Sequence, residues 1–383
     1  MIKKLLLLAI ILLGVCGFEL YRREFSGLGP VPERSSFSGR LPFTVEGDFR
    51  RFQFFYSSNR ADAEDSFKGR GNVRVDTLVN GTFDALIHPG LNIRPFVWFE
   101  DSSMKLDNRT SLSDEEYYNK IKAAVANSSE KSLLVIVWGF RDWFQSAAIK
   151  TAYTSYILDI DAPAVLFDWP GNQGDGRSGY LAAREVAVPS AAQLGEWLKN
   201  LKEKSGAEKI WIMGSSLGCQ VITDALVWLN DHKPGYKLNH VILSAPDVAY
   251  ESFNNKLKET IPNTTDHLTA FVSSNDRALL MSAWINGNRK LGRIRISEPP
   301  EERSEEYEFE EADRLLDYNL KEVAVVDATP INLTRNLHHF FTDSPEFFDD
   351  LYQRILQPDH LLSRRLHQLR QSNGRDYWIL WSY

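Results

Sequence analysis

From Ser132 onward the chain repeats one pattern: a short run of wholly apolar residues, a longer stretch with helical spacing, then another apolar run. The runs are LLVIVW (133–138), AVLFDW (164–169), KIWIM (209–213), HVILSA (240–245), LTAFVSS (268–274) and EVAVVDA (322–328). Short strands without polar alternation are buried on both faces, as in a parallel sheet covered by helices on either side. Residues 180–204 and 219–230 are among the helices that separate them. Right-handed crossovers then wind the chain into a doubly wound sheet. Two earlier segments, FQFFYSS (52–58) and TFDALIH (82–88), have strand composition and are separated by a Gly-rich stretch and an Asn80-Gly81 turn. They are expected to pair as antiparallel edge strands. The predicted class is α/β, a mostly parallel doubly wound sheet with antiparallel N-terminal edge strands.

At 383 residues the chain has room for one large domain of this kind with additions, and residues 46–383 are read as that domain. An acidic insertion covers 294–315; from Glu298 to Arg314 nine carboxylates accompany two arginines. This reads as a solvated face, and the glutamates lack the spacing of a calcium loop, so no metal site is assigned. The net charge of −7 gives no reason to expect nucleic acid as a partner. Of the two cysteines, Cys16 falls in the leader, so Cys219 has no partner for an intrachain disulfide in a mature domain.

The leader begins with Lys3 and Lys4 and continues in an apolar run from Leu5 to Phe18. As a helix that run spans about 21 Å, short of the roughly 30 Å hydrocarbon core, so residues 1–20 read as a signal peptide. A membrane anchor flanked by Arg22 and Arg23 is the alternative, and residues 21–45 read as a linker. The expected location is outside the cytoplasm: periplasmic, secreted, or tethered to the membrane through residues 5–20.

The third apolar run ends in Gly214-Ser215-Ser216-Leu217-Gly218, followed at once by an apolar helix. A serine on so sharp a strand-to-helix turn adopts a strained backbone, and the glycines two before and two after it let strand and helix close. Ser216 is therefore the candidate nucleophile. A serine hydroxyl needs a base and the base an orienting carboxylate, which follow such a nucleophile in the order acid, then histidine. Asp276 in SSNDRAL is the preferred acid, because it ends the second strand after the nucleophile strand; Asp247 in SAPDV is the alternative. Of the eight histidines, four lie beyond that acid, and His360 and His367 fall in what reads as a charged helical tail. His338 is the preferred base, with His339 as its alternate.

A tetrahedral oxyanion needs donors. The turn supplies the backbone N–H of Leu217, and the loop after the first core strand, VWGFRDWF, supplies that of Phe140, with Gly139 letting the backbone turn inward. Trp138, Phe140, Trp143 and Phe144 are equally readable as an acyl pocket or as ordinary core. This chemistry calls for no metal or organic cofactor.

These segments together resemble the bacterial α/β-hydrolase-fold family of largely uncharacterised esterase/lipase-superfamily proteins. The resemblance runs from Phe52 to Leu356 through FYSSNRAD, VWGF, LFDWPG with Tyr180 and Arg184, GSSLG, LSAPDV, SSNDRAL with Leu291-Gly292, and LHHFF. It implies hydrolase chemistry with Ser216, Asp276 and His338 as a catalytic triad and leaves the substrate open. One departure is Trp138-Gly139, where such proteins usually read His-Gly; the acidic insertion is another. The functional expectation is a serine hydrolase acting on a small-molecule or lipid ester. The same residues would serve a thioesterase, an amidase or an acyltransferase, and a cell-envelope binding protein that has kept the scaffold and lost turnover is the alternative outside enzymes.

Overall fold

A computed structural model describes residues 40–61, 72–95, 97–293, 323–334, 337–356, 366–370 and 376–381. The leader, most of the linker and the whole of the acidic insertion lie outside the described residues.

The strands are β1 (Thr44–Glu46), β2 (Phe49–Arg60), β3 (Arg74–Ile87), β4 (Met104–Leu112), β5 (Ser132–Val137), β6 (Ala164–Asp168), β7 (Lys209–Ser215), β8 (Leu238–Ser244), β9 (Thr265–Val272), β10 (Val323–Asp327), β11 (Leu366–Arg370) and β12 (Asp376–Leu380). They form one 12-stranded sheet in the order β11-β12-β10-β9-β8-β7-β5-β6-β2-β3-β4, with β1 paired to β2. From β12 to β2 every neighbour is parallel. The remaining pairs are antiparallel. This is the mixed, mostly parallel α/β arrangement that the apolar runs imply.

Helices α1 (Asp114–Asn127), α2 (Phe144–Leu158), α3 (Gly176–Ser205), α4 (Leu217–His232), α5 (Arg277–Asn286), α6 (Phe340–Asp343) and α7 (Pro345–Leu356) cover the sheet, with an irregular helical segment at 250–264. Along β5, Leu133, Val135 and Val137 join one core layer, with α1, α3 and α4. Leu134, Ile136 and Trp138 join the other, with α2 and α7. Successive side chains of a strand point to opposite faces, so each apolar run feeds both layers at once. No helix among the described residues is long and apolar enough to cross a membrane.

The N-terminal strands form the expected antiparallel edge of the sheet, and both sides carry strands that the sequence reading did not place. β2 is antiparallel to β3 but also parallel to β6, in the register Phe55↔Val165 to Ser58↔Asp168, so it lies inside the sheet and β4 forms the edge. The reason lies in its composition: residues 54–60 are buried without alternation, the mark of an inner strand. β4 (MKLDNRTSL) is polar and largely exposed, and carries no apolar run to announce it. On the far side, His367 lies in a strand, not a helix: β11 pairs antiparallel with β12, and β12 extends the sheet parallel to β10. Trp378, Ile379 and Leu380 of β12 are buried, and β11 takes the outer position in the sheet. His360 lies outside the described residues.

Candidate functional site

Strand β7 ends at Ser215 and helix α4 begins at Leu217, so Ser216 alone turns the corner, at φ 52° and ψ −126°. A side chain at positive φ outside the left-handed helical well costs of order 1–3 kcal/mol and persists where the surroundings over-determine it. Here they do. The Ser216 N–H donates to Ser244 O at 3.0 Å, while its carbonyl accepts the N–H groups of Cys219 at 3.0 Å and Asp247 at 3.1 Å. A Cβ on Gly214 would stand 2.5 Å from Ile222 Cδ1, and one on Gly218 would stand 2.5 Å from Val137 O and 2.7 Å from Trp138 O. At Gly218 the neighbours are backbone, so only glycine lets strand and helix close there, whereas at Gly214 the close neighbour is the end of the Ile222 side chain. Ser215 is buried in consequence, and Ser216 is left half-exposed.

The Leu217 N–H opens α4 and has no carbonyl one turn back to bind. Directly against it lies Gly139: a Cβ there would meet Ser215 O at 2.8 Å, Ser216 Cβ at 2.9 Å and Leu217 N at 3.2 Å. The space in front of the Leu217 N–H thus exists because residue 139 has no side chain. The next N–H, that of Phe140, has no hydrogen-bond partner among the described residues. The loop is braced from behind, where the Arg141 N–H donates to Gly171 O at 3.0 Å and Gly171 packs on Gly139 so closely that a Cβ would lie 2.5 Å from its carbonyl.

A buried charge network underlies this loop, and apart from Arg60 and Asp168, which fall within segments of the resemblance, it was not foreseen. Arg60 Nε lies 2.8 and 2.9 Å from the two oxygens of Asp168, and its Nη2 donates to the carbonyls of Asp142 and Trp169, each at 2.5 Å. One arginine on β2 therefore ties together the loops after β5 and β6. Lys150 Nζ completes the network at 2.5 Å from Asp142 Oδ2, lying 4.4 Å from the centre of the Trp138 ring. Burial holds this ammonium below the usual lysine range despite the attraction of Asp142. Lys150 gave no signal of its own, being one lysine in a helical stretch. Trp138 donates through Nε1 to Thr151 Oγ1 at 2.9 Å and packs near Phe341. Trp138 and Phe144 are core residues, Phe140 stands edge-on to Tyr180, and Trp143 is exposed.

Asp276 caps α5. Its Oδ1 accepts the Leu279 N–H at 2.8 Å, and its Oδ2 lies 2.6 Å from His338 Nδ1, so both oxygens are committed and the carboxylate is fixed. Asp276 is fully buried and His338 nearly so. Burial disfavours the imidazolium, but the charge and hydrogen bond of Asp276, helped by Asp247 and opposed by Lys150, outweigh it and carry the His338 pKa above the ordinary histidine value. No hydrogen bond among the described residues joins Ser216 Oγ to His338. The two are linked through packing: His338 stands edge-on to Phe341, Phe341 lies near Trp138, and the Trp138 backbone abuts Gly218.

The two alternates lie elsewhere in the network. Asp247 is buried with its carboxylate engaged by Tyr180 OH at 2.7 Å, Ser282 Oγ at 2.6 Å and Lys290 Nζ at 3.0 Å. Its backbone braces Ser216; its side chain makes no bond to either histidine. The His339 ring packs against Trp98 at 5.1 Å. Among the described residues no group of three or more His, Cys, Asp or Glu side chains is placed to hold a metal ion.

A parallel sheet with a strained serine at a strand-to-helix corner, and a carboxylate-imidazole pair on later loops, defines an α/β-hydrolase fold with a candidate active site at the ends of its strands. A family model described as alpha/beta hydrolase of unknown function (DUF900) matches residues 113–355, and the chain belongs to that family. No curated protein matches it. Among solved structures, the chain is similar at 12% identity and a TM-score of 0.36 to a "putative cell surface hydrolase" from Lactobacillus plantarum WCFS1, over 60% of this chain and 94% of that one. That likeness is too slight to carry a functional conclusion.

Proposed function

We propose that this α/β hydrolase is a serine hydrolase that cleaves carboxylic esters. The observation that carries the reading is the conjunction of Ser216 at a strained, half-exposed corner with the 2.6 Å contact between His338 and a doubly anchored Asp276. In this mechanism His338 Nε2 takes the Ser216 proton as Oγ attacks the ester carbonyl, and Asp276 holds the Nδ1–H tautomer and steadies the imidazolium. The developing oxyanion receives the N–H groups of Leu217 and Phe140, beside the positive end of α4. The imidazolium then protonates the leaving alkoxide, and a water attacks the acyl-serine with His338 again as base. The bond between Ser216 and His338 is one that forms with substrate, since such contacts commonly tighten only in the Michaelis complex.

Assay of short-chain aryl esters with the native protein and Ser216→Ala tests the proposal. Hydrolysis that Ser216→Ala abolishes supports it; equal activity in the two overturns it. Thioesters, amides and acyl acceptors in the same panel separate the other transfers this geometry permits. Lipid esters and a location outside the cytoplasm belong to the proposal through the apolar run 5–18, and N-terminal sequencing of the mature protein tests that part: a start near Phe18 means cleavage, an intact Met1 a tether.

A further inference from the structure

Two loops must meet for Asp276 to reach His338. The first follows β9 and carries Ser273, Asn275 and Asp276; the second follows β10 and ends in Leu337 and His338. Asn332, completely buried, stands between them. Its Nδ2 donates to Leu337 O at 2.6 Å and lies 2.9 Å from Ser273 Oγ and 3.1 Å from Asn275 Oδ1. With two hydrogens on that nitrogen, one serves the histidine loop and the other is shared across the acid loop. The Asn332 carbonyl accepts the Asn275 amide at 3.2 Å, which doubles the link to the acid loop. Its Oδ1 accepts Thr334 Oγ1 at 3.0 Å, and that hydroxyl oxygen accepts the His339 N–H at 2.9 Å.

What this cross-link holds is a strained segment. Leu337, immediately before His338, has φ 48°, a left-handed conformation that a leucine adopts only when constrained. Its carbonyl is the group that Asn332 grips most closely. Asn332 thus bonds the residues on both sides of His338, directly at Leu337 and through Thr334 at His339, and the residues just before Asp276. We propose that Asn332 is a positioning residue for the acid-base pair, setting the His338 imidazole against Asp276 by cross-linking the two loops that bear them. The catalytic meaning of this role rests on the proposed function; the geometric one does not.

The test measures two things on Asn332→Ala: the pH dependence of labelling by a fluorophosphonate, and the titration midpoint of His338 followed by NMR of labelled histidine. The charged groups around the ring are Asp276, Asp247 and Lys150, with the His339 ring 5.4 Å away, and the substitution alters none of them. Slower labelling by about 10- to 100-fold, with the His338 midpoint moved down as the Asp276 contact loosens, is the expected result. Ser273→Ala, which removes one of the three acceptors, is expected to move both readouts in the same direction by less, and carries the test if Asn332→Ala does not fold. A folded variant that labels within about twofold of the native protein at every pH, with an unchanged midpoint, overturns the inference. Native protein that does not label at all, while the midpoint still moves in Asn332→Ala, upholds the positioning role and overturns the serine hydrolase reading instead.

Discussion

His338 Nδ1 lies 2.6 Å from Asp276 Oδ2, and the other oxygen of that carboxylate caps the helix that follows it at 2.8 Å from the Leu279 N–H. A carboxylate anchored at both oxygens cannot swing away, so the imidazole keeps one tautomer and one orientation. Replacing Asp276 by Asn keeps the shape but puts an amide where the ring needs an anion. Ester turnover should then fall by about 10³-fold or more, because the amide no longer holds the tautomer that leaves Nε2 free to act as base. Steady-state kinetics on the variant checks this; a loss below tenfold contradicts it.

The pH dependence follows from the same pair. Attack by Ser216 requires neutral His338, whose pKa is raised above histidine's ordinary value, so activity should rise with pH through a midpoint above about 6.5. Stability runs the other way. A histidine whose folded pKa exceeds its unfolded one contributes stability that is fully present below the unfolded value and is lost as pH rises through the folded one. Urea unfolding of native protein and His338→Gln across this range should show the stability difference shrinking as activity grows. A difference that grows with pH would refute the assignment.

Gly139 has no room for a methyl group. A Cβ there would lie 3.2 Å from Leu217 N and 2.8 Å from Ser215 O. Gly139→Ala should therefore cost about 10²-fold or more in kcat, the size of a lost oxyanion donor, with a cooperative unfolding transition retained. Parallel kinetics and thermal melts read the two effects separately.

Arg60 is 1% exposed at its side chain and faces Asp168, also 1% exposed. Arg60→Leu leaves that carboxylate unpaired and strips the Asp142 and Trp169 carbonyls of their donor, so a loss of about 3–5 kcal/mol is expected in denaturant unfolding. A loss under about 1 kcal/mol would mean that the two loops are held by something else.

The parallel core was legible because burial on both faces leaves continuous apolar runs, and the corner at Ser216 because a mechanical need for glycine writes itself into five consecutive residues. Chain order singled out Asp276 and His338, which the fold brings into contact; their catalytic roles are the proposal. The rest was hidden for physical reasons. β4 is a polar edge strand, and polarity without alternation looks like loop. β12 pairs with β10, which is distant in sequence, and with β11, a polar stretch that reads as part of a charged helical tail, so neither partner announces a strand there. Asn332 resembles any loop asparagine until the chain closes around it, and Lys150 any helical lysine until Asp142 is brought to it. Polar residues that work by burial are visible only after the burial is known.

Covalent labelling tests the role of Ser216 and His338 at the site itself. The native protein is treated with a fluorophosphonate near neutral pH, digested, and the modified residue located by mass spectrometry. One fast adduct on Ser216 is expected, absent from Ser216→Ala and slowed in His338→Gln. An unlabelled Ser216 in folded protein, or an adduct that His338→Gln leaves equally fast, would contradict the proposed roles.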